Sequence, residues 1–108
     1  MRRTPWRLRQ TAESLGPVLP ERFQDAVAEL KQLAPRIGDR FVAMILCEYV
    51  AVFGLEHFDA SMRALRHFTT FGSGEFAIRH FLKRDFERTL AVMKEWARHD
   101  NEHVRRLA

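Results

Sequence analysis

Apolar residues recur at spacings of three and four along most of the chain, and no alternating run rich in Val, Ile or Thr appears anywhere. That periodicity supports helices and no other regular structure. Five Gly and four Pro punctuate it at short intervals, so the helices must be short and joined by tight turns. Hydrophobic residues make up 46% of the 108 and charged residues 30%, a balance that fills a core and excludes a disordered chain. The length allows one domain at most.

A first helix is predicted over residues 20–34, with Pro20 in its first turn and Phe23, Ala26, Val27, Leu30 and Leu33 as its stripe; Pro35 and Gly38 end it. A second spans 39–53. Asp39 can cap its free N–H groups, and Val42, Ile45, Leu46, Tyr49, Val50 and Phe53 repeat at helical spacing. Because Ala43, Met44, Cys47 and Val52 occupy its other faces, this helix belongs at the centre, covered on both sides. Gly54 is expected to close it in the left-handed conformation. A third helix begins near Leu55, with Leu55, Phe58, Met62, Leu65 and Phe68 as its stripe and Asp59, Arg63, Arg66 and His67 left to water. After the Gly72, Ser73, Gly74 break a fourth covers 75–84 and buries Phe76, Ile78, Phe81 and Leu82. Asp85 caps a fifth with Phe86, Leu90, Met93 and Ala97 inward, and Asp100 and Asn101 cap a sixth at 102–108.

Short connections force successive helices into antiparallel pairs. The segments EFAIRHFL at 75–82 and NEHVRRLA at 101–108 share a capped start followed by Ile-Arg or Val-Arg, the pattern of the second helix in HEAT-type repeats. The fold class expected is all-α, antiparallel helical pairs stacked as a HEAT-like/ARM-type superhelix with a concave surface suited to a long ligand. Residues 1–18 read as a basic N-terminal tail or short helix, in which Trp6 either anchors an upstream helix or lies in a loose tail. Residues 19–108 form the repeat domain, read as incomplete because it stops in the second turn of an amphipathic helix without a closing signal. Such an exposed last helix also suggests self-association.

The single cysteine, Cys47, sits among apolar neighbours and reads as buried and reduced. The longest apolar run, around 50–53, is broken by Glu48 and Gly54 and is too short to span a bilayer, and residues 1–14 carry no apolar leader. A cytoplasmic protein without membrane contact is expected. The net charge is +4, unevenly spread. Residues 1–10 carry four Arg and no acid, residues 11–71 six bases against eight acids, and residues 72–108 eight against six. Basic ends attract polyanions through counterion release. The five histidines suggest a metal, but His99 and His103 are separated by a turn and no HExxH or Cys/His cluster exists, so no metal is expected. Trp96 and the nine Phe could stack on bases, but their helical spacing makes core packing the better explanation for nearly all of them.

The SGEFAIR run at 73–79, the DNEHVRRLA run at 100–108 and the YVAVFGL run at 49–55 resemble the AlkC-like branch of the bacterial DNA alkylation repair proteins, in the N-terminal portion of that family. His80 stands where the family has proline after Ile-Arg. The resemblance implies a HEAT-like-repeat DNA glycosylase that removes cationic alkylated bases, such as 3-methyladenine or 3-methylcytosine, from duplex DNA without a metal or organic cofactor. It implies a catalytic carboxylate at Glu75, with the remaining acidic and aromatic groups of the active site in the family's continuation beyond residue 108. The alternatives are a non-enzymatic scaffold for protein–protein interaction and an inactive fragment.

Physical reasoning makes Glu75 suitable. A base methylated to a cation is already a good leaving group, so the work is to stabilise an oxocarbenium-like sugar and position a water, which a fixed carboxylate does electrostatically. Placement at a helix N-terminus favours its charged form; against this, acids are common in first turns anyway. Arg79 and Lys83 share its helical face, and Arg105 and Arg106 continue that edge on the next helix, as contacts to DNA phosphates that position without reading sequence. For Arg105 the competing role is bracing a nearby carbonyl or carboxylate, and for Lys83 a plain solvated face.

Overall fold

A computed structural model describes the backbone of residues 3–108 and the side chains of residues 7–108; the side chain of Trp6 lies outside the described residues. Among the described residues the chain forms helices and no strand: α1 (Arg3–Ser14), α2 (Phe23–Ile37), α3 (Arg40–Phe53), α4 (Phe58–Phe68), α5 (Glu75–Arg84), α6 (Phe86–Trp96) and α7 (Glu102–Leu107). The fold is all-helical, as the periodicity requires. No helix among the described residues is long and apolar enough to cross a membrane.

Helix α3 is the hub. Asp39 starts it, accepting from the backbone N–H groups of Phe41 and Val42 at 2.8 and 3.1 Å, the side-chain cap that the first turn needs. From there α1, α2, α4 and α5 all pack on it, as its apolar circumference demands. Phe68, Phe81, Leu30, Leu46, Leu65 and Val50 are the largest side chains fully withdrawn from water, each worth roughly 1.5–3 kcal/mol of burial. From α5 onward each helix packs against the next, α5 on α6 and α6 on α7. The extents of 34, 29 and 28 Å are nearly equal; a superhelix expresses its curvature only over more repeats than these.

Several boundaries and faces differ from the sequence reading. Helix α2 begins at Phe23 rather than at residue 20 and continues through Pro35 to Ile37. Proline in the last turn removes one backbone bond without ending the helix, and Gly38, at φ 69°, provides the left-handed stop. Gly54 is not left-handed, with φ −110°. Its role is steric, because a Cβ there would lie 2.6 Å from both Phe23 Cζ and Val50 O. Helix α4 starts at Phe58, three residues later than expected, while its polar face of Asp59, Arg63, Arg66 and His67 is exposed as expected.

On α6 the buried face is Thr89, Met93 and Trp96, so Phe86 is 59% exposed instead of inward and Ala97 is exposed too. Thr89 takes the inner position because its hydroxyl donates to Phe81 O at 3.0 Å, satisfying both groups in the core. On α3, Val42 and Phe53 are partly exposed while Ala43, Leu46, Cys47 and Val50 turn inward. Leu33, expected in the stripe of α2, is also exposed. The basic start of the chain forms α1, which buries Leu8 and Ala12 against α3.

Candidate nucleic-acid interface

The turn from α4 to α5 delivers Glu75, and it is fixed from several directions. Gly72 N donates to Phe68 O at 3.1 Å, the Cys47 thiol donates to Gly72 O at 3.5 Å, and Gly74 N donates to the buried Thr69 Oγ1 at 3.2 Å. Glu75 N in turn donates to Ser73 Oγ at 3.2 Å. Burial raises the Cys47 thiol far above its ordinary value, with adjacent Glu48 adding to the shift and Arg40 opposing it, so this cysteine is an inert hydrogen-bond donor. Helix α7 forms the facing wall. Asn101 caps it by accepting from His103 N at 2.8 Å, and the Leu107 side chain lies against Gly74.

Between these walls lies a hollow of about 410 Å³ lined by Arg40, Thr69, Ser73, Glu75, His103 and Arg106, with Leu107 at its edge. Glu75 is well exposed, its side chain 65% accessible, and it pairs with Arg79 across one turn at 3.2 Å. Arg79 also lies over the Phe76 ring at 5.7 Å. The structure therefore brings two of the expected residues, Glu75 and Arg106, to one opening, with Arg79 joined to it only through its pair with Glu75. It does not bring the other two there. Lys83 is exposed at the far end of α5. Arg105 donates to His99 O and Asp100 O at 2.8 and 2.7 Å, bracing the turn before its own helix.

Sequence reasoning missed Arg40 and His103 as part of this site. Arg40 donates to Thr70 O at 2.8 Å and to Thr69 O at 3.3 Å, and its Nη2 lies 3.3 Å from His103 Nδ1. The partners are 29 to 63 residues away in sequence, and no local pattern announces them. Chemically the hollow offers guanidinium groups for a phosphate and a carboxylate beside them.

A second polar group also escaped the sequence reading. Glu48, on the apolar helix α3, is only 2% exposed; burial raises its carboxyl, and nearby Arg9 of α1 opposes that shift. Arg9 Nη1 also reaches His80 Nε2 of α5 at 3.2 Å. Arg9 thus ties α1 to α5 beside α3. Burial, then Arg9 and Lys83, hold His80 below the ordinary value of 6.5. Between its folded value and 6.5 the unfolded chain binds a proton that the folded chain refuses, so this contribution is complete above pH 6.5 and declines below it. The raised Glu48 acts with the opposite sign at lower pH. A comparison of urea midpoints therefore isolates the histidine: wild type is expected to lose stability relative to His80→Gln as pH falls below 6.5, and parallel profiles would contradict the assignment.

A larger hollow, about 720 Å³, lies between α4 and the α5–α6 turn. Its Arg88 is paired with Asp59 at 3.2 Å and sits 4.1 Å over the Phe58 ring. Arg63 and Arg84 line this hollow as well; the smaller hollow is taken as the candidate because it sets a carboxylate, Glu75, beside Arg106.

A solved structure of an alkylpurine DNA glycosylase, AlkC of Pseudomonas fluorescens, bound to DNA containing an abasic site analog, superimposes with a TM-score of 0.90 at 53% identity over 94% of this chain. This chain is an AlkC-like segment. It spans 28% of that protein, and also 28% of Uncharacterized protein YhaZ of Bacillus subtilis (strain 168), to which it is 38% identical over 102 residues, 94% of this chain. No protein-family model matches it.

Proposed function

We propose that this AlkC-like segment is the part of a DNA alkylation repair protein that binds duplex DNA carrying alkylated bases and contributes one carboxylate to N-glycosidic cleavage. The observation that carries the reading is the opening that Glu75 and Arg106 share, with Arg79 paired to Glu75 beside it. Its match to a glycosylase bound to abasic-site DNA supports the choice of ligand. The protein would work in the cytoplasm, at the nucleoid.

In this mechanism Arg106 holds a backbone phosphate at the rim of the hollow, with Arg79 and Lys83 as further contacts along the duplex, while Arg105 braces the turn before α7. A cationic alkylated base departs as the N-glycosidic bond breaks, taking the bonding electron pair and becoming neutral. Positive charge develops on the sugar. The Glu75 carboxylate stabilises that charge and orients the water whose oxygen bonds to the sugar carbon, the water's proton passing to solvent. The reading does not require the self-association expected at α7.

Duplex binding by the chain is expected to weaken steeply with salt, because each phosphate contact contributes a slope of about −0.9 in log affinity against log salt. Arg106→Gln should reduce the slope by about one. Fluorescence anisotropy with a labelled duplex from ~50 to ~200 mM salt measures both. A flat salt dependence in the wild-type chain would refute the reading.

A further inference from the structure

We propose that Arg40 is the positioning residue of the hollow, holding its two walls in register so that Arg106 meets a DNA phosphate beside Glu75. The inference rests on the DNA-binding reading and adds a residue to it. Arg40 begins α3, directly after the cap at Asp39, so its backbone is anchored in the central helix. From there one planar guanidinium reaches both walls: Thr69 O and Thr70 O of the turn leading to Glu75, and His103 Nδ1 of the helix that carries Arg106.

No other side-chain hydrogen bond among the described residues joins α7 to α3 or to the α4–α5 turn. Helix α7 is one short element of six residues that packs mainly on α6 and buries Val104, and a lateral tie fixes its orientation against the α4–α5 turn. Leu107 against Gly74 supplies an apolar contact, which limits separation but not sliding. The forked donors of Arg40 supply direction. A lysine at this position keeps the charge but cannot span two carbonyls and an imidazole at once, so Arg40→Lys separates geometry from charge.

The test has two arms on the intact chain. In the first, binding of a fluorescein-labelled duplex is measured for wild type, Arg40→Lys, Arg106→Gln and the double variant. Positioning predicts that Arg106→Gln lowers affinity about fivefold in wild type and less than about twofold once Arg40 is lysine, a coupling that a residue merely supporting the fold, or contacting phosphate independently, would not show. Equal losses in both backgrounds would overturn the proposal. In the second arm, amide hydrogen exchange of Gly74 and His103 should accelerate at least about tenfold in Arg40→Lys while Leu46 and Val50 keep wild-type rates. Unchanged exchange at Gly74 and His103 would overturn positioning whether or not DNA binds. Absent salt-dependent binding by the wild-type chain, with accelerated exchange, would instead defeat the DNA reading and leave the clasp standing.

Discussion

Gly72→Ala is expected to destabilise the chain by about 3 kcal/mol or more, one of the largest single-site losses the fold can suffer. An added Cβ would lie 2.5 Å from Arg40 O, 2.6 Å from Met44 N and 2.7 Å from Ala43 C. All three are backbone atoms of the first turns of α3, so no rotamer change relieves the clash. Either the α4–α5 turn lifts from the central helix, breaking the Cys47 and Thr69 hydrogen bonds that hold it, or α3 distorts. For a domain of this size each kcal/mol lowers the melting temperature by roughly 4–8 °C, so thermal unfolding should shift by more than about 10 °C. Gly38→Ala is the contrasting case. A Cβ there meets nothing within 4 Å, and only the φ of 69° resists it, a penalty of roughly 1 kcal/mol. Equal melting temperatures for Gly72→Ala and wild type would show that the turn is not seated on α3.

What the sequence made legible was local. Asp39, Asp85 and Asn101 were recognisable as caps because an N-cap acts on amides within three residues, and each accepts from its own first turn. The limits of α5 followed from glycine on one side and Asp85 on the other. Facing was harder, because it depends on what packs from outside. Phe86 is more apolar than Thr89, yet Thr89 is buried because Phe81 O sits where its hydroxyl can reach. The packed α1 was obscured by a sequence of four Arg and no acid over residues 1–10; among the described side chains it buries Leu8 and Ala12.

The candidate site divides the same way. The Glu75–Arg79 pair is an i,i+4 relation and was visible in the string. Arg40 with His103, and Arg9 with His80, join residues 63 and 71 positions apart; only the folded helices bring them together. Arg105 fell between these cases, since an arginine in a capped turn can face outward or brace carbonyls, and here it braces.

Glu75→Gln has the second large expected effect, and it is a loss of chemistry rather than of folding. The carboxylate is exposed and its pairing with Arg79 is a surface ion pair, worth about 0–1 kcal/mol at most, so the variant should fold normally. In the proposed mechanism the charge acts on the sugar only as positive charge develops there. Its removal should slow excision by about 10²–10³-fold while changing duplex affinity by less than about threefold.

The most direct measurement grafts this segment into the Pseudomonas fluorescens AlkC in place of the portion it matches and follows release of alkylated purine from methylated DNA, with and without Glu75→Gln. The account predicts that the graft releases the base and that the variant binds the same DNA but releases it at least about 10²-fold more slowly. Release unaffected by the substitution, or a graft that no longer binds DNA, would contradict it.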